Sequence, residues 1–273
     1  MKLYISCDME GIAGVTSWEQ VDARTPHAEY AIYRRYYTEE VLAAIDGARS
    51  AGATEFLVND AHGPMRNLIL DRFPSDVRVI FGNRKPFSMV QGSSGYDGAF
   101  FIGYHGAIGD ADAVLAHTYT PSVIYELRVN GIVCSEATIN AAMLGHGRVP
   151  LLMVSGDRTT VNSVRTTMPW THGVTVKDSI GNFAAETMSP AASQRAIREG
   201  AAHAVRHRAN ASLWQFDSPV TMDVTLARVE QADSVAQIPG FERTGTRSVR
   251  FVHPDMPTIF KAFVATWRLG MIA

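Results

Sequence analysis

Asp8 and Glu10 stand two residues apart, directly after a short apolar run; Asp60 and His62 follow a second such run, and His105 follows a third. In extended backbone, residues two apart point the same way, so Asp8 and Glu10 would present their carboxylates side by side. Two adjacent carboxylates repel, and each would rather take a proton than share a dry site. A divalent cation removes that conflict. Adding His62 and His105 gives a mixed carboxylate and imidazole set, which suits zinc, with manganese or cobalt as alternatives. Taken singly, these residues have plainer readings. Asp8 fits an N-cap or turn before Gly11, and Asp60-Ala61-His62-Gly63 fits a turn. His105, between Gly103 and Gly106, fits either a tight turn or a close backbone approach to a ligand. Their joint placement favours the metal.

That placement comes from the strands. Residues 2–7 (KLYISC), 55–59, 77–81, 99–103 (AFFIG) and 151–155 read as short buried strands. Helical patterns run over about 28–50, with Gly52 as C-terminal cap, and resume over 136–144. The alternation predicts an α/β fold, a mainly parallel central sheet flanked by helices. In such sheets ligands bind outside the carboxyl ends of the strands, and three separate ends each deliver a metal-capable side chain there. Asn130-Gly131, between apolar residues 123–129 and 132–133, predicts a two-residue hairpin turn. Past Pro190 the texture changes to an alanine-rich helix (191–209), a half-exposed strand (220–229), another strand (248–252) and a closing helix (260–269). The expected division is an α/β metal-site unit over 1–190 and a C-terminal helix plus small α+β extension over 191–273.

Composition narrows the function classes. With 46% hydrophobic residues among 273, the chain can bury a large core. The formal net charge of −2 excludes the basic stripe of a nucleic-acid binder, and the basic residues 195–208 include Glu199 and read as a solvated helix face. No stretch approaches the roughly 20 apolar residues of a membrane span. Asp8 and Glu10 arrive before a signal-peptide core could form, and two cysteines imply no disulfide framework, so a cytoplasmic protein is expected. Cys7 reads as inert. Cys134 reads as a small core residue, with a soft metal ligand as the alternative. Gly11-Ile12-Ala13-Gly14 lacks dinucleotide or phosphate-loop spacing, and Ser94-Gly95 lacks a nucleophile-elbow context. His117, after apolar residues 113–116, is either a core histidine or a proton carrier.

The motifs, in order, resemble those of the zinc-dependent D-aminopeptidases that self-compartmentalise into rings. Ser6-Cys7-Asp8-Met9-Glu10-Gly11 matches the family's S-x-D-x-E-G, and Asn59-Asp60-Ala61-His62 matches N-D-x-H. Lys85 to Val90 reads K-P-F-S-M-V, Gly103-Tyr104-His105 reads G-Y-H, and Leu152 to Asp157 contains L-M-V-x-G-D. The resemblance is collinear over roughly residues 1–160 and thinner beyond. It implies metal ligation by Asp8, Glu10, His62, His105 and Glu136, and a catalytic role for His117. Five ligands exceed one tetrahedral zinc with an open position, so two zinc ions per chain are expected, with Asp8 as the simplest bridge. It further implies a homodecamer of two stacked five-membered rings acting on short peptides with an N-terminal D-residue such as D-alanine. Around the glutamate the chain departs from the family's G-E-[IL]-G-L-N: Ser135-Glu136-Ala137-Thr138-Ile139-Asn140 keeps the ligand and Asn140 but replaces the small residues beside them.

The chemistry so implied is metal-assisted hydrolysis, with ions about 3.5–4 Å apart activating a bridging water and polarising the scissile carbonyl. His117 would protonate the leaving amine, stabilise the oxyanion, or act as nucleophile. Asp60 is a candidate acceptor for the substrate's free N-terminus. Two alternatives stand beside this reading: another dinuclear hydrolase such as a phosphoesterase, and a peptide-binding protein without catalysis.

Overall fold

In the computed structural model, which describes residues 1–24 and 28–273, each apolar run expected to be a strand is one. The first half of the chain gives β1 (Lys2–Cys7), α1 (Ala28–Ser50), β2 (Glu55–Asp60), β3 (Val77–Ile80), β4 (Gly98–Tyr104), β5 (Ile124–Val129) and β6 (Ile132–Val133). Then come α2 (Glu136–His146), β7 (Leu151–Asp157), α3 (Arg158–Thr167), β8 (His172–Gly181), β9 (Ala184–Thr187) and α4 (Pro190–Arg206). The chain ends with β10 (Val220–Leu226), α5 (Val229–Val235), β11 (Phe241–Arg243), β12 (Ser248–His253) and α6 (Met256–Gly270). No helix among the described residues is long and apolar enough to cross a membrane.

Seven strands form the main sheet in the order β3-β2-β1-β4-β7-β8-β9. All neighbours are parallel except the terminal β8–β9 hairpin. Strand order reverses between β1 and β4, so the carboxyl ends of these two central strands open the crevice where α/β sheets bind ligands. Alternation along the strands sorts their side chains to two buried faces. Leu3, Ile5, Phe100 and Ile102 pack towards α1 and α4, while Tyr4, Ala99 and Phe101 face the opposite core with α2 and α6. Burial on both faces explains why β1 and β4 read as continuous apolar runs.

A second sheet, β11-β12-β10-β5-β6, is antiparallel throughout. It draws strands from both sides of residue 190, because β5 pairs with β10. Asn130 (φ 48°) and Gly131 (φ 80°) make the expected tight turn between β5 and β6. The strand expected over 220–229 stops at Leu226, because Val229 already opens α5. The closing helix starts earlier than its apolar pattern, at Met256, where the Asp255 side chain accepts from the Thr258 N–H as N-cap.

Two glycines let the ends of β1 and β4 close on each other. The Gly11 N–H donates to the Gly103 carbonyl (2.8 Å), and the Asp8 N–H to that of Ile102 (2.8 Å). A Cβ on Gly11 would overlap the Tyr104 carbonyl oxygen, and one on Gly103 (φ +72°) would overlap that of Asp8. The close approach at Gly103 is thus to main chain and not, as one reading of the sequence has it, to a ligand.

Candidate metal centre

The six candidate side chains arrive from four segments of the chain. Asp8 and Glu10 lie in the loop leaving β1, His62 just beyond β2, and His105 just beyond β4. His117 sits in the loop between β4 and β5, and Glu136 is the first residue of α2. Ser135 caps α2 by accepting from the Thr138 N–H (3.2 Å), and a carboxylate in the first helical turn suits the helix dipole. Glu136 Oε1 accepts the main-chain N–H of Tyr119 at 2.6 Å, which ties α2 to the loop that carries His117.

The structure brings all six together, none more than 7% exposed. His62 Nδ1 lies 2.9 Å from Glu10 Oε2 and 3.2 Å from Asp8 Oδ1. His105 Nε2 lies 3.4 Å from Asp8 Oδ2 and 3.6 Å from Glu136 Oε1. His117 Nε2 stands slightly further off, 3.7 Å from Glu136 Oε1 and 3.9 Å from Glu10 Oε1. Its ring stacks on that of His105 at 4.2 Å, and Trp18 meets it edge-on at 5.2 Å.

The three imidazoles are fixed in one tautomer each. His62 Nε2–H donates to the Val21 carbonyl (2.8 Å), His105 Nδ1–H to that of Gly106 (2.9 Å), and His117 Nδ1–H to that of Leu115 (2.8 Å). A carbonyl only accepts, so the opposite nitrogen of each neutral ring turns a lone pair towards carboxylates. Lone pairs facing carboxylate oxygens in a dry site need a proton or a cation between them. Two of these atoms, Asp8 Oδ2 and His105 Nε2, are buried with no hydrogen-bond partner. The donor set therefore fits a divalent metal.

The protonation balance agrees. Burial opposes charge on His62, yet Glu10 and Asp8 overcome it and push its pKa well up; at His105, Glu136 and Asp8 do the same. Burial alone would raise Asp8, but His105 and His62 outweigh it and hold the carboxyl well below its usual range. The cluster keeps Asp8 ionised and asks for positive charge.

A cavity of about 610 Å³ opens onto the cluster. Its walls include Trp18, Met65, Tyr119, Trp267 and Met271, and it carries an Asp22–Arg24 ion pair (2.9 Å). Asp60, a sequence candidate for recognising a substrate N-terminus, faces elsewhere. It is fully buried, and its carboxylate accepts from the N–H groups of Asn67 (2.5 Å) and Leu68 (2.8 Å) and from the Asn67 side chain (2.9 Å). It staples the loop after His62. Cys134 lies outside the ligand groups that converge among the described residues, and burial pushes its thiol up to about 12. Cys7 is likewise buried, accepting from the Tyr37 hydroxyl (3.0 Å).

Trp18 and Tyr119 were not singled out from the sequence, since both sit in irregular loops with no periodic pattern to place them. Nor were two buried lysines. Lys85 donates to the Asn59 side chain and the Asp60 carbonyl (2.6 Å), bracing the end of β2; burial brings its pKa down to about 8. The K-P-F-S-M-V motif was its only signal. Lys177, from β8, donates to the main-chain carbonyls of Glu10 and Val15 (2.7 Å).

Comparison with known proteins gives a consistent result. A family model for D-aminopeptidases (peptidase family M55) matches residues 1–265. A protein of Bacillus subtilis (strain 168) named D-aminopeptidase is 35% identical over 277 residues, covering 99% of this chain and 98% of that one. A solved structure, the Zn-dependent D-aminopeptidase DppA from Bacillus subtilis, described as a self-compartmentalizing protease, superposes with a TM-score of 0.95. It is 32% identical and the match covers 100% of this chain and 99% of that chain.

Proposed function

The chain belongs to the D-aminopeptidase family and is a metallo-aminopeptidase; from that premise we propose that it releases N-terminal D-residues, D-alanine foremost, from short peptides at a two-zinc centre. The observation that carries this reading is the convergence of three tautomer-locked imidazoles on three buried carboxylates.

Asp8, Glu10, His62, His105 and Glu136 would hold the zinc. By contact their donors fall into two overlapping halves: Asp8 Oδ1 and Glu10 meet His62, Asp8 Oδ2 and Glu136 meet His105, and Glu10 also lies within ligand distance of Asp8 and His105. Asp8 turns one oxygen to His62 and the other to His105, so it would serve both halves of a two-ion site. Bound zinc supplies Lewis acidity and an acidified water. His117 Nε2 is the atom placed to exchange a proton with the leaving amine, because Leu115 holds its other nitrogen and the stacked His105 ring fixes its plane. Trp18, Tyr119 and Trp267 wall the cavity and limit water around the scissile bond.

Metal analysis with a chirality-resolved peptide screen tests the reading. Two zinc ions per chain and preferential cleavage of a D-alanyl dipeptide over its L-epimer are expected. Equal rates on both epimers would remove the D-selectivity, and hydrolysis of phosphate esters without peptides would favour the phosphoesterase alternative.

Assembly into a ring, a homodecamer by family resemblance, is part of the same proposal. At the β8–β9 turn, Ile180 and Phe183 are 77% and 60% exposed, the kind of apolar surface that a second copy would cover. Between them, Asn182 accepts the main-chain N–H groups of Leu115 (2.9 Å) and Ala116 (3.0 Å), directly before His117. Light scattering is expected to give a mass near ten chains; a fully active monomer would remove the ring. A cytoplasmic setting belongs to the proposal too, supported by the buried free thiols of Cys7 and Cys134.

A further inference from the structure

Lys177 is 2% exposed and does not itself line the substrate cavity, yet it reaches the loop leaving β1 from β8, with β4 and β7 lying between the two strands. Its ammonium donates to the carbonyl oxygens of Glu10 and Val15, at either end of the loop that leaves β1. Glu40 of α1, 1% exposed, holds the middle of the same loop: its Oε1 accepts the Ala13 N–H (3.1 Å) and the Ser193 hydroxyl (2.8 Å). Thr187 Oγ1 accepts from the Gly14 N–H (2.8 Å).

Burying an ammonium and a carboxylate costs free energy, and apolar residues of the same size would commonly be as stable or more so. The pair is accounted for by what it holds. Among the described residues the loop beyond Gly11 has no hydrogen bond to β4; besides its own turns (Val15 N–H to the Ile12 carbonyl, 3.5 Å), Lys177 holds its Glu10 and Val15 carbonyls, and Glu40 and Thr187 hold its Ala13 and Gly14 N–H groups. Glu10 lies within this clamped stretch, and the placement of its Oε2 2.9 Å from His62 Nδ1 depends on where its main chain is anchored.

We propose that Lys177, with Glu40, is a positioning residue for the metal centre: the two clamp residues 10–15 from the α1 and β8 side and so fix the Glu10 carboxylate against Asp8 and His62. The proposal rests on the zinc reading above. Groups that orient metal ligands typically change metal affinity by about 10–100-fold when lost.

The test is Lys177→Met in the full-length protein, which keeps the buried stem and removes the charge. Zinc affinity, read by competition with a chromophoric chelator, is expected to fall about 10–100-fold. Val205→Ala, a core truncation in α4, serves as a control that lowers the melting temperature while leaving zinc affinity at the parent value. A folded Lys177→Met that binds zinc with parent affinity and stoichiometry overturns the proposal. If Lys177→Met does not fold, Glu40→Met decides, since methionine keeps the buried stem and removes the oxygen that accepts from Ala13 and Ser193: weakened zinc supports the clamp, and unchanged zinc overturns it. A parent protein that binds no zinc would fail the metal reading itself, and the clamp with it.

Discussion

His117→Ala is expected to retain both zinc ions while kcat falls about 10²–10⁴-fold, with KM changed little. The retention is expected because the five other donors are untouched by its removal; it is the sharper test since His117 Nε2, 3.7 Å from Glu136, also lies within ligand distance of His105 and Glu136. The loss of rate follows from orientation. Leu115 takes the Nδ1 proton and the parallel His105 ring sets the plane, so Nε2 is aimed before substrate arrives. An interaction that matters only while a proton moves lowers kcat and leaves ground-state binding alone. Zinc analysis and steady-state kinetics on a D-alanyl dipeptide check this. Loss of a zinc ion would make His117 a ligand, and an unchanged rate would make it a packed core histidine.

Asp8→Ala is expected to lose zinc and turnover together and to melt like the chelator-treated parent. One carboxylate faces both halves of the donor set, so its removal takes a ligand from each. Zinc at about 1,000 times its dissociation constant stabilises a folded protein by about 4 kcal/mol, a difference in melting temperature on the order of 10 °C for a chain of this size. The fold itself should survive, because Asp8 stands past the end of β1 while Leu3 and Ile5 carry that strand's packing. Metal content, scanning calorimetry and peptide hydrolysis measured on one preparation decide it. A variant that keeps its zinc would remove Asp8 from the centre.

How much of this was readable beforehand depended on what each residue's position advertises. β1, β2 and β4 are apolar runs broken by a carboxylate or an imidazole, so the strand and the functional residue at its end were legible together at Asp8, Glu10, His62 and His105. Glu136 lies at a helix start behind the β5–β6 hairpin, with no strand pointing at the crevice, and only the family resemblance picked it out. Asp60 misled because it shares a strand end with His62 but is spent on Asn67 and Leu68; spacing cannot show where a carboxylate finds its donors. The stretch containing α3, β8 and β9 stayed unread. Threonine-rich α3 has weak helix propensity and is started by the Asp157 cap, which accepts from the Thr160 N–H. β8 carries a lysine out of step with its buried Val174 and Val176, and that lysine is buried because main-chain carbonyls receive it.

The contact between Gly11 and Gly103 bears on how such a catalyst can diversify. At that contact main chain meets main chain with no room for even a methyl group, so neither glycine can change without moving the loops that carry the ligands. The walls are another matter. Trp18, Tyr119 and Trp267 come from separate loops and from α6, and each can be exchanged without touching a metal ligand. A library aimed at new acceptor peptides would do best to hold the two glycines constant and vary those three positions.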